Sequence, residues 1–251
     1  MPSANSTADR AIEILLMFDD EHPSRTAIEV AERFEMSRST TYRYLSSLRA
    51  QGMLVDAGEA GFRLGPRIFQ LARVARRGYS VLQLAEPELR QLVAATGETV
   101  LMTQLNGLEI SVIECIESAQ PVRISYNRGQ ALPSPSTASA KVFLAFGEPR
   151  AVQTVMRRRK FQRYTDKTIT DAAQLAQEIE GVRSRGFAVN REEVDEGISA
   201  IAAPITSRDG FAHYAISVVA PSFRMGRDQL DRHAQAVRTA ARRISAAVAE
   251  H

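Results

Sequence analysis

Three features of the sequence predict an α+β fold in two domains. A pair of short helices with a tight turn lies between Thr26 and Gly52, and a glycine-centred hairpin follows it directly. Beyond Gly97, strand runs rich in Val, Ile and Thr are grouped with amphipathic helices, the pattern of an antiparallel sheet flanked by helices. At 251 residues and 44% hydrophobic, the chain can bury a core in each of two modest domains. The expected boundaries are 1–65 for the helix pair and hairpin, 66–96 for a helical linker, and 97–251 for the sheet domain.

The first helix begins after Ser6 or Thr7, and Ile12, Leu15, Leu16 and Phe18 supply the stripe expected to face the helix pair. Thr26 and Glu29 are spaced as a capping box, so the next helix starts at a well-marked point. Ile28, Val30, Ala31 and Phe34 form its apolar side; Phe34, Glu35 and Met36 make the turn; Ser37 is a second N-cap. From Arg38 the following helix buries Thr41, Tyr44 or Leu45, and Leu48, and Gly52 stops it. Arg38, Ser39, Thr40, Tyr42, Arg43 and Ser46 are left on or beside the opposite side. Arginine and short hydroxyl side chains near a helix N-terminus suit the major groove of double-stranded DNA. Met53 to Val55 and Phe62 to Leu64 are strand-like runs around Asp56 to Gly61, a wing, so the segment reads as a winged helix-turn-helix. Residues 1–65 hold seven Arg against ten Asp and Glu, whereas 37–51 hold three Arg and no acid. DNA affinity is therefore expected from a local stripe and from pairing of protomers, not from a basic domain.

Residues 66–77 and 79–96 read as two helices separated at Gly78, with Pro87 starting a fresh turn or kinking the second. Arg73, Arg76 and Arg77 on the first are candidates for DNA backbone contact or for a solvated basic face. Glu98 to Leu105 and Leu108 to Glu117 are strands about Asn106-Gly107, the favoured pair of a two-residue type I′ hairpin. Val122 to Tyr126 is expected to be a further strand. Helices are expected at 136–146, at 148–158, and at 171–185 between a Thr170 cap and a Gly186 stop. Strands Ser199 to Ile205 and Phe211 to Ala220 follow, joined through Ser207-Arg208-Asp209-Gly210, and a terminal helix covers 227–249.

No apolar run reaches the roughly 18 residues of a membrane span, and MPSANSTADRAIEIL has neither a basic leader nor a cleavage site. A cytoplasmic chain without membrane contact is expected. One cysteine, Cys115, and four scattered His leave no intrachain disulfide, metal-ligand spacing or cofactor motif. Ser136, Thr137, Ser139 and Lys141 raise an enzyme reading, since a hydroxyl beside a lysine can be an activated nucleophile. The spacing does not fit Ser-x-x-Lys, because Ala138 stands three residues before Lys141. No catalytic residue is assigned. An architectural DNA-binding protein is a third reading, against which stands a second domain of about 150 residues.

Over nearly its whole length the chain resembles the IclR family of bacterial transcription regulators. The resemblance rests on SRSTTYRYLSSLRAQGML, FRLGPR, TGETV, LPSPSTASAKVFLA, GFAVNREEVDEGISAIAAPI and AISVVAPSFR, in that order. It implies a winged helix-turn-helix joined by a helix to a GAF-like effector-binding domain, acting as a homodimer or tetramer that answers to small organic acids or aromatic compounds. It also implies an effector pocket between Pro121, Ile124, Leu132, Ala138 and Ser139 on one side and Asn190, Ala200 and Ser217 on the other. Asn190 replaces a commonly acidic residue, and Ala200 stands where some members carry Cys. Those small and neutral side chains lean toward an aromatic acid or amide, docked on the helix that starts near Ser136 or Thr137.

Overall fold

The computed structural model describes residues 7–19, 21–78, 80–157 and 161–250. The chain divides into two compact units, Met1–Tyr79 and Ser80–His251. The two helices of the expected linker fall on either side of that division.

In the first unit, α1 (Thr7–Leu15) buries Ile14 against Val30, Leu45, Leu48 and Leu54, with Ala11, Leu15 and Phe18 beside it. The stripe is thus rotated from the expected one. Ile12 and Leu16 are 56% and 77% exposed, because two helical positions away from Ile14 is a turn of about 200°. The α2 helix (Ala27–Arg33) starts in a true capping box: the Thr26 amide donates to Glu29 at 2.7 Å and the Glu29 amide donates to Thr26 Oγ1 at 3.2 Å. In α3 (Arg38–Ala50) the Ser37 hydroxyl accepts from the Thr40 amide at 3.3 Å. The helix ends as a Schellman motif, with the Met53 amide donating to Leu48 O and the Gly52 amide to Arg49 O, Gly52 being at φ +70°.

A three-stranded sheet in the order β1-β3-β2 completes the wing: β1 (Ser24–Arg25), β2 (Leu54–Asp56) and β3 (Phe62–Leu64). Two-residue β1 is too short to reveal itself by alternation. Gly65, just after β3, donates to Met53 O, and a Cβ there would lie 2.2 Å from Gly52 O, so the wing closes on α3 only with glycine. The chain then enters α4 (Pro66–Gly78). Arg73 is exposed on it; the side chains of Arg76 and Arg77 lie outside the described residues.

The second unit begins with α5 (Ser80–Thr96), which carries Pro87 within its length. Its six-stranded antiparallel sheet has the order β6-β5-β4-β9-β8-β7. The strands are β4 (Thr99–Asn106), β5 (Glu109–Ile116), β6 (Ala131–Leu132), β7 (Ala188–Arg191), β8 (Ile198–Thr206) and β9 (Ala212–Pro221). Between β6 and β7 lie α6 (Ala138–Phe146), α7 (Pro149–Met156) and α8 (Ala172–Arg185), and α9 (Arg227–Glu250) ends the chain. Helix α9 packs on α5 and on β8. Helix α6 buries Ala138, Ala140, Val142 and Phe143 against Ala188, Ala202, Ala212 and Ala215 of the sheet. The small alanines let the helix approach closely.

Several local expectations change. Asn106 pairs with Glu109, so the hairpin turn is Gly107-Leu108 and not Asn106-Gly107. Gly107 alone has positive φ (+61°), which is the type II′ requirement, whereas type I′ needs it at both central residues. Residues 122–126 form no strand. They are held by single contacts, with Thr99 Oγ1 donating to Ile124 O at 2.7 Å and Arg123 and Ser125 both donating to Glu117. The cap of α8 is Asp171, whose carboxylate accepts from Ala173 and Gln174, a stronger charge-assisted cap than Thr170 would provide. No helix among the described residues is long and apolar enough to cross a membrane.

Candidate functional site

The candidate reading surface is the exposed face of α3. Thr41, Leu45 and Leu48 are buried, as the spacing requires. Ser39, Tyr42, Arg43 and Ser46 form one exposed stripe at spacings of three and four, with Arg38 exposed beside it. Thr40 is half-buried, its hydroxyl 2.9 Å from that of Ser37, so it belongs to the cap as much as to the face. Arg10 and Arg25 are held by Glu13 and Glu29 at 2.9 and 3.6 Å. Arg38 and Arg43 have no hydrogen-bond or ion-pair partner among the described residues, which leaves both guanidinium groups available to phosphate and base edges.

A second site lies wholly within the larger unit. A cavity of about 360 Å³ opens between the start of α6 and the sheet. Leu132, Ala138, Ser139, Asn190, Ala200 and Ser217 line it. Pro121 and Ile124 do not: Pro121 is exposed, and Ile124 packs beside Leu101, Val112 and Val219. The fixed contacts of residues 122–125 hold Ile124 in the apolar cluster behind the wall, and the segment reaches the cavity only at Tyr126.

The α6 start gives the cavity its polarity. Thr137 is the N-cap, and its hydroxyl accepts from the Ala140 amide at 3.2 Å. The Ala138 and Ser139 amides of the first turn have no acceptor among the described residues, and they form the positive end of the helix dipole. Ser139 and Ser217 are 3% and 2% exposed, and neither hydroxyl has a hydrogen-bond partner among the described residues. Asn190 fixes the helix start by donating to Ser136 O at 3.1 Å, while its Oδ1 accepts from the Glu193 amide at 2.9 Å.

Sequence reasoning did not find Tyr126, Gln130, Tyr164, Val194, Asp195 or Ile198, which also line the cavity. All but Ile198 come from loops far apart in the chain, where no periodicity marks a side chain as facing inward. Burial, with the Asp195 charge behind it, pushes the Tyr126 phenol up to about 12.

The enzyme reading finds no support in the geometry. Lys141 is 1% exposed, and its ammonium donates to Val189 O at 3.0 Å and to Glu193, with Glu178 at 3.8 Å. It is consumed by a buried ion pair and activates no hydroxyl. Burial pushes the Cys115 thiol up, which disfavours a thiolate nucleophile. No cluster of potential metal ligands occurs among the described residues.

A winged helix-turn-helix with a free cationic reading face, joined to an α+β domain that holds a ligand-sized cavity, defines a DNA-binding transcriptional regulator. Residues 7–57 match the IclR helix-turn-helix domain, and residues 75–246 match the C-terminal domain of the bacterial transcriptional regulator IclR. The chain belongs to the IclR family. It is similar to the HTH-type transcriptional regulator BhcR of Paracoccus denitrificans, 32% identical over 238 residues that cover 94% of this chain and 85% of that one. It is also similar to KdgR of Escherichia coli, 30% identical over 224 residues, covering 89% and 85%. Among solved structures it resembles an IclR-type regulator from Silicibacter, with a TM-score of 0.87 and 26% identity over 97% of this chain and 96% of that one.

Proposed function

We propose that the protein is a ligand-responsive regulator in which α3 of two protomers reads operator DNA and the cavity of the second unit holds the effector. Arg38, Ser39, Thr40, Tyr42, Arg43 and Ser46 contact the DNA. Binding in the cavity shifts the population of DNA-competent arrangements through α4 and α5, where the chain passes from one unit to the other.

The observation that carries the reading is the cavity itself, into which Ser139 and Ser217 turn hydroxyls that have no protein partner among the described residues. Open to the cavity and unengaged by the protein, these two hydroxyls are free to donate to or accept from a bound molecule. The two unaccepted amides at the α6 start add a place for an anionic or carbonyl group without any Lys or Arg in the lining. Leu101, Leu132, Ile198 and Val219 supply an apolar remainder. A volume of about 360 Å³ suits a molecule of one ring. The effector class that fits is a small aromatic acid or amide rather than a two- or three-carbon acid.

Assembly as a dimer or larger is part of the proposal, because one reading helix gives too small a contact for tight specific binding. Ile12 and Leu16 of α1 and Phe69, Leu71 and Val74 of α4 are exposed apolar side chains that support it. Calorimetry on the full chain tests the cavity: benzoate binding is expected in the parent and its loss in Ser139→Leu and in Ala200→Phe, each of which fills the space. Normal affinity in both variants puts the effector elsewhere.

A further inference from the structure

We infer that the larger unit holds a second ligand site, separate from the cavity at the α6 start, in which Arg191, Lys167 and main-chain amides of β7 bind the phosphate group of a small phosphorylated metabolite. The site is a recess of about 470 Å³ beside β7.

Strand β7 divides the two spaces. Side chains alternate along it, so Asn190 lines the first cavity while Val189 and Arg191 line the recess. The strand is also the edge of its sheet. Just beyond it the Glu192 amide donates to Ile198 O at 3.0 Å, which makes Asn190–Ala200 and Ala188–Ala202 the hydrogen-bonded pairs of the ladder. The backbone groups of Val189 and Arg191 therefore point off the edge. Lys141, which lines the recess, donates to the Val189 carbonyl at 3.0 Å, and the Val189 and Arg191 amides have no acceptor among the described residues. A free edge of two residues with one carbonyl already blocked is too short to add a strand. Outward amides at a sheet edge do suit an anion.

Charge points the same way. Lys141, Lys167, Arg185 and Arg191 line the recess against Glu178 and Glu193, four cations to two carboxylates. Lys141 is paired with Glu193 and Arg185 with Glu178, so those four groups neutralise one another. Arg191 is exposed, and its guanidinium has no partner among the described residues. The Lys167 side chain is 59% exposed and meets one carboxylate, that of Glu192 at 2.8 Å, which leaves ammonium donors for a ligand. A phosphate monoester carries about −1.5 to −2 charges and three acceptor oxygens, enough to engage the Arg191 fork, the Lys167 ammonium and a main-chain amide together. A carboxylate, with two oxygens and one charge, satisfies fewer of them. Ile169, Phe187 and Leu230 give the rest of the molecule an apolar wall.

Isothermal titration of the full chain with phenyl phosphate tests this. The parent should bind it with a Kd below about 1 mM. Arg191→Gln should weaken binding about tenfold or more, and Lys167→Gln about threefold or more, as loss of a charged hydrogen-bond donor requires. Both replaced side chains are exposed, so circular dichroism melting of the variants should match the parent. Ser139→Leu, which fills the first cavity, and Arg43→Ala on α3 should leave phenyl phosphate affinity within about twofold of the parent, since neither residue touches the recess. In Ser139→Leu, benzoate should bind about tenfold more weakly than phenyl phosphate. No binding to the parent at about 1 mM, or an affinity that Arg191→Gln leaves unchanged, overturns the inference. Loss of phenyl phosphate binding in Ser139→Leu places the phosphate in the first cavity and overturns it too, and equal affinity for benzoate in that variant refutes the assignment to phosphate.

Discussion

Replacing Lys141 by Met removes the cation that contacts Glu193 while keeping nearly the same side-chain volume. Lys141 is 1% exposed and Glu193 6%, and Glu193 Oε2 already has no hydrogen-bond partner. Without the ammonium, the buried Glu193 carboxylate would lose its ion-pair partner, while the neighbouring cation Arg185 is engaged by Glu178. Breaking one side of a buried pair in this way costs about 3 to 5 kcal/mol. The loss is a property of the orphaned carboxylate more than of the pair itself. Adding Glu193→Leu to Lys141→Met should therefore return the protein to within about 1.5 kcal/mol of the parent, since buried pairs are often no better than well-packed apolar residues. Urea unfolding followed by far-UV circular dichroism, whose amplitude the larger unit dominates, measures both variants. A Lys141→Met protein within about 1 kcal/mol of the parent, or a double variant no more stable than the single, would refute the argument. Because Asn190 accepts from the Glu193 amide, the single variant should also weaken benzoate binding in the cavity.

Two further expectations concern pH and assembly. The Tyr126 phenol ionises at 10.0 in the unfolded chain and near 12 when folded, so the unfolded state loses its proton first and stability falls as pH rises between those values. Tyr126→Phe removes this dependence, and the stability difference between parent and variant should move by about 2 to 3 kcal/mol in the variant's favour across that window; parallel pH profiles would contradict it. Light scattering at micromolar concentration should give at least twice the 27.7 kDa chain mass, and a monomer with and without DNA would end the dimer proposal.

The winged segment was legible because its signals are local. Thr26 and Glu29, the Ser37 cap, and Gly52 each act within one helical turn, and the structure uses all of them. The long strands β8 and β9 were legible for the same reason, their apolar runs being interrupted only by the turn at 207–210. Strand β7 was not: Ala188–Arg191 is four residues long, half polar, and is a strand because β8 offers it a partner. The turn at Gly107-Leu108 was displaced by one residue because pairing with β5 carries Asn106 into the ladder. Lys141 misled for a related reason. The sequence places it beside hydroxyls, whereas its partners Val189 and Glu193 lie 48 and 52 residues away. In the cavity, the family resemblance reached the residues carried by α6 and the strands but not Tyr126 or Asp195, whose inward position depends on loops.

Duplexes selected from a random-sequence pool by the full chain allow the most direct test of α3 as the reading element. Arg43 is exposed near the middle of that helix and has no protein partner among the described residues. Gel-shift titration of Arg43→Ala on the selected duplex should show a loss of about 1 to 3 kcal/mol and a relaxed preference at one position in each half-site, as removal of a base contact requires. Equal weakening on all sequences would reassign Arg43 to a phosphate. Affinity and preference unchanged from the parent would contradict the account and remove α3 from its role.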